Sequence, residues 1–94
     1  MLERAYFDHL AIPKGFEGRL WRYAYDGLER RGHRHAELEF NLVTHGTGEV
    51  VLRERRYPLR RGTLLWLFPG QDHLLLQVPG FQMWVLEVDP AVVA

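Results

Sequence analysis

Apolar and polar residues alternate with a period of two along most of the chain. In "RLWRYAY", Leu20, Arg22 and Ala24 fall on one face, and Arg19, Trp21, Tyr23 and Tyr25 fall on the other. That period belongs to an extended strand, whose successive side chains point to opposite sides. Asp26–Gly27 ends it. "ELEFNLVT" repeats the pattern, with Leu38, Phe40 and Leu42 opposed to Glu37, Glu39, Asn41 and Val43, and "HGTG" turns the chain. "EVVLR" and "RRYPL" then read as a hairpin turning at Arg53, Glu54 and Arg55, without the glycine that a tight hairpin prefers. Gly62 closes the next turn, "TLLWLF" is stopped by "PGQD", and "HLLLQV" and "FQMWVLEV" flank the turn at Pro79–Gly80. Only Leu2 to Leu10 admits a brief helical turn, and "IPKGFEG" breaks regularity after it.

About seven strands at intervals of roughly eight to twelve residues predict an all-β sandwich or barrel. The connections are too short for parallel crossovers, so the strands are expected to be antiparallel. Ninety-four residues make one domain, with an N-terminal arm over 1–18 and a barrel over 19–90. There is no cysteine, hence no disulfide and no thiolate ligand. Twelve basic and twelve acidic side chains cancel, which argues against this chain alone gripping nucleic acid, where a basic face is needed. Clustered arginines (Arg30, Arg31 and Arg34; Arg53, Arg55, Arg56, Arg60 and Arg61) would suit an anion, although a solvated surface paired with Glu29, Glu49 and Glu54 is the simpler account of them. No run approaches the ~18–20 apolar residues of a membrane span, so the expectation is a soluble, cytoplasmic protein with no membrane partner.

One stretch raises a chemical question. "GHRHAELEF" places His33, His35 and Glu39 at even separations, so a backbone extended from Gly32 onward would point all three the same way. His73, directly after "PGQD", is the candidate fourth member from a neighbouring strand. Three imidazoles and a carboxylate suit one divalent transition metal such as Zn, Fe, Mn, Ni or Cu.

Gly27-x₅-His33-x-His35-x₃-Glu39-x₆-Gly46 resembles the first motif of the cupin superfamily, and Gly62 through Pro69 and Gly70 to His73 resembles the second. In the second motif the proline sits one place late and Gln77 stands where asparagine is usual. The likeness implies a small antiparallel cupin β-barrel of jelly-roll type, with ligand roles for His33, His35, Glu39 and His73. A narrower likeness, strongest in "RRYPLRRGTLLWLFPGQDH" and running from Trp21 to Pro90, is to the N-terminal sensor domain of AraC-type transcription regulators. It implies a domain that binds a small-molecule effector and forms a homodimer. Nothing in the sequence supplies recognition helices, so DNA would be reached only through a segment outside this chain. In such sensors the motif residues often line a polar pocket with no metal, and that alternative stays open here.

Trp66, Trp84 and Trp21 are candidate pocket walls, though aromatics more often fill a core or an interface. His9 and His45 read as surface or turn residues. If Glu39 points inward, Leu38, Phe40 and Leu42 point outward, and Leu74 and Leu76 do so relative to His73. Such a face is expected to be covered by the N-terminal segment or by a second subunit. The rival function is a stand-alone metal-binding cupin enzyme of dioxygenase or isomerase type. Against it, the chain has no serine and no cysteine, the commonest nucleophiles, and no catalytic residue is assigned.

Overall fold

Strand formation follows the period-two pattern. In the computed structural model, which describes residues 6–7, 16–25, 33–34 and 36–92, the strands are β1 (Tyr6–Phe7), β2 (Gly18–Ala24), β3 (His33–Arg34), β4 (Leu38–His45), β5 (Thr47–Leu52), β6 (Arg55–Arg60), β7 (Leu64–Leu67), β8 (Leu74–Gln77) and β9 (Gln82–Val88). A short 3₁₀ turn, Pro90–Val92, follows. Tyr6–Phe7 is extended, so this part of the stretch read as a possible helical turn is strand. The rest of Leu2 to Leu10 lies outside the described residues.

Two antiparallel sheets carry the fold. One has the order β2-β9-β4-β7 and the other β6-β5-β8. The small β1-β3 pair is parallel, unlike the antiparallel pairing expected throughout. Among the described residues the two large sheets share no ladder, so the architecture is an open jelly-roll-like sandwich and not a ring closed by hydrogen bonds. Between them packs a core of Val43, Val50, Leu59, Phe81, Met83 and Val85, with Tyr23, Tyr25 and Leu52 against it. Phe81 is fully buried, and its backbone holds Tyr25 at the end of β2, since the Tyr25 amide donates to the Phe81 carbonyl at 2.9 Å.

The turn at Gly46 follows from the same packing. Gly46 has φ 75°, and a Cβ there would stand 2.9 Å from the Phe81 Cα. An L side chain is therefore excluded twice, by conformation and by contact with backbone. Between β5 and β6 the chain turns on Arg53 (φ 48°) and Glu54 (φ 68°). Two successive left-handed residues make the turn that matches strand twist, and here neither is the asparagine or glycine that adopts it without strain.

Two outcomes follow for stability. Phe81→Ala removes the most buried aromatic ring among the described residues and is expected to cost about 3–4 kcal/mol, read as a lower urea midpoint. The double substitution Arg53→Asn with Glu54→Gly relieves the turn and is expected to add about 1 kcal/mol. An unchanged or lower midpoint would show that the turn carries no such strain.

Candidate functional site

The alternation on β4 and β9 decides which side chains meet between the sheets. The antiparallel register sets Glu39 against Glu87, Asn41 against Val85 and Val43 against Met83. All six of these are buried. Val43 and Met83 belong to the core, whereas the next two rows open into a cavity of about 160 Å³. Glu39, Asn41, Val85 and Glu87 form its floor, Trp21 and Tyr23 its β2 side, and Leu65 and Leu67 its β7 side. Val50, His73 and Leu75 face them from the opposite sheet.

Four buried polar or charged side chains gather here: Glu39, Asn41, His73 and Glu87. Burying such groups is costly without hydrogen bonds, and part of the compensation is visible. The Asn41 Nδ2 donates to Glu39 Oε2 at 2.7 Å. His73 Nδ1 lies 3.0 Å from the Gln71 carbonyl oxygen. A carbonyl only accepts, so Nδ1 carries the proton, and in the neutral ring the buried Nε2 is an acceptor. Beside the cavity, Gln77 Nε2 donates to the Tyr23 hydroxyl at 2.6 Å and ties β8 to β2 across the sandwich. Gln77 is the residue that stands where the cupin motif usually has asparagine.

Glu39 and His73 thus line one cavity. His33 lies in β3, where its side chain is not described, and His35 lies outside the described residues, as does His9. The expectation that His33, His35 and Glu39 share a face by even spacing does not hold as an argument. The backbone bends at Ala36 and Glu37, between β3 and β4, and a bend breaks the parity count. Among the described residues no group of three histidine or acidic side chains is placed to hold a metal ion. Glu39 and His73 are two of the four expected donors, and the Nδ1–H bond to Gln71 is of the kind that orients a ligating imidazole.

Trp66 and Trp84 are placed differently from the expectation. They are 53% and 40% exposed, on the outer face of the four-stranded sheet, and do not line the cavity. Trp66 packs edge-on against Phe40 at 5.0 Å between centroids, and Arg22 lies 5.8 Å over the Trp84 ring. Trp21 is the cavity's indole, and the Arg19 guanidinium sits 4.3 Å from its centroid. Leu38 and Leu74, on faces expected to be covered, are buried within the domain itself. His45 is exposed beside Thr44 and Arg22 at the end of β4. Arg56 pairs with Glu49 at 3.4 Å on the solvated surface.

Sequence reasoning placed Asn41 on the Glu39 face without giving it a role, and it missed Glu87. A signal for Glu87 existed. Met83, Val85 and Glu87 are spaced by two, so an inward Met83 and Val85 carry Glu87 inward with them.

Comparison with known proteins agrees with this architecture. A cupin-2 conserved barrel domain protein from Salinispora arenicola is similar at 27% identity, over 89% of this chain and 75% of that one, with a TM-score of 0.64. A conserved protein of unknown function from Streptococcus pyogenes is similar in fold, at 22% identity, 82% and 68% coverage and a TM-score of 0.71. A cupin superfamily protein from Desulfitobacterium hafniense gives 15%, 84%, 73% and 0.67. No curated protein sequence matches the chain. The model of the AraC-like ligand binding domain matches residues 13–94. With that match over most of its length, and with a cavity held between two jelly-roll sheets, the chain belongs to the AraC-like ligand binding domain family of cupin fold.

Proposed function

We propose that this domain is the small-molecule-sensing and dimerising part of an AraC-type transcription regulator. The observation that carries the reading is the cavity itself. Apolar walls surround a compact polar group, the usual composition of a pocket that buries a small ligand's body and fixes its orientation through a few polar atoms. A cavity of about 150 Å³ accommodates benzene, so the described cavity has room for the head of a small ligand.

Dimerisation is favoured by the other side of the same sheet. Across the strands, Leu20, Leu86, Phe40 and Trp66 stand in one row, and Arg22, Trp84, Leu42 and Leu64 in the next. Most of these are exposed. An apolar surface this continuous is larger than isolated domains usually leave in water, and a second copy brings the matching surface about a two-fold axis. The effector would then act through β4 and β9, whose inward residues meet the ligand and whose outward residues meet the partner. A ligand that fits one packing of these strands better than another shifts the dimer equilibrium by that difference. In the whole regulator, that shift would be passed to a DNA-binding segment.

Two measurements test the proposal. Screening sugars, aromatics, amines and small acids by NMR should give saturable binding that shifts the Trp21 indole N–H and leaves those of Trp66 and Trp84 in place. A panel with no binder would end the sensing role. In sedimentation the domain is expected to dimerise, and Leu42→Glu should weaken the dimer by more than about tenfold by burying an unpaired charge. A Leu42→Glu protein that dimerises as tightly as wild type would move the interface elsewhere.

A further inference from the structure

Between Thr47 and Gly62 the chain carries five arginines and two glutamates, a surplus of three positive charges in a protein whose formal total is zero. These residues make the antiparallel β5–β6 hairpin, in which β6 is the edge of the three-stranded sheet. Arg53, Arg55, Arg56, Arg60 and Arg61 are all exposed. Arg56 pairs with Glu49. The side chains of Arg53, Arg55, Arg60 and Arg61 have no ion pair or hydrogen bond among the described residues. On the other sheet, by contrast, Arg19 and Arg22 lie over tryptophan rings.

A single solvated arginine needs no explanation, but two features set this hairpin apart. Like charges gathered along one edge repel one another, which opposes folding. The tip also holds Arg53 at φ 48° and Glu54 at φ 68°, a conformation that asparagine or glycine adopts with less strain. Strain retained at a charged tip points to a use for the residues there.

The arrangement narrows the partner. The arginines do not converge on a cavity; they follow an edge. From Arg55 to Arg60 an extended strand runs roughly 16 Å, a length over which one strand of duplex DNA presents about five phosphates. Long side chains from both faces of β6 can reach past that edge. Pro58, within β6, has no amide N–H, so the edge is a poor template for an added peptide strand. Guanidinium forks, in turn, match phosphate oxygens two at a time.

We propose that the β5–β6 hairpin is a phosphate-contacting edge that lies along the backbone of duplex DNA. This rests on the regulator reading above, in which another segment recognises the sequence. The hairpin adds affinity and orientation without sequence information. Because the rest of the chain is negative by the same three charges, it also sets which side of the domain faces the duplex.

The test is fluorescence anisotropy of a labelled duplex of about 20 base pairs and arbitrary sequence, titrated with the full chain over a range of salt. Saturable binding is expected at about 20 mM salt, with log affinity falling against log salt at a slope of about −3, the mark of three or four neutralised phosphates. Arg55→Gln with Arg60→Gln should reduce that slope by about two. Arg19→Gln, which removes a positive charge from β2, should leave it unchanged. Arg53→Asn with Glu54→Gly keeps the net charge, yet should reduce the slope by about one because a contact is lost. All these side chains are exposed, and the indole N–H signals check that each variant is folded. A slope near zero, a slope that the hairpin variants leave unchanged, or an equal loss from Arg19→Gln would overturn the proposal. Tighter binding of polyglutamate than of the duplex would overturn it too, in favour of an acidic protein partner. None of these outcomes touches the sensing role, which is read from the effector panel. DNA binding by a domain with no effector in that panel would do the reverse.

Discussion

Glu39 and Glu87 are directly opposed on neighbouring strands, both buried, and the register that opposes them also fixes nearly everything else about the four-stranded sheet. Sliding β4 by one residue against β9 would turn Glu39, Asn41 and Val43 out to solvent and bring Phe40 and Leu42 in. The sheet is held against that slip at its far end. There Val43 and Met83 pack with the fully buried Phe81, and Gly46 lets the chain turn close to the Phe81 backbone. A dry, well-packed end thus stabilises a polar end that is costly by itself. Two like carboxyls removed from water oppose folding, so the hydrophobic rows beside them must supply the difference. That division of labour is common where a site needs an arrangement the chain would not adopt for stability alone.

β4 and β9 have a second allocation. Their outward residues, Phe40, Leu42, Trp84 and Leu86, are apolar, while the inward ones near the cavity are polar, the reverse of a sheet built for a lone soluble domain. One side of the same two strands thus lines the cavity and the other presents an apolar surface, with no layer of structure between the two.

Much of the fold was legible because turns and alternation are local signals. The ends of β5 and β6, the stop at Pro69–Gly70 and the turn at Pro79–Gly80 can be read from a few residues each, and the structure puts turns there. The outward placement of Phe40 and Leu42 followed from the inward placement of Glu39 by counting. Counting does not carry across a backbone that is not extended. The bend at Ala36–Glu37 separates His33 from Glu39, and no feature of "HAEL" announces it. The misplacement of Trp66 and Trp84 has another cause. Aromatic residues were expected at a pocket for their chemistry, although Trp66 is opposite Phe40, and Trp84 lies one residue from both Val85 and Met83. Parity, followed consistently, puts both indoles on the outer face. Glu87 escaped notice for the same reason that it matters: a single acid near the end of an apolar strand looks like a frayed edge until the opposing strand is known.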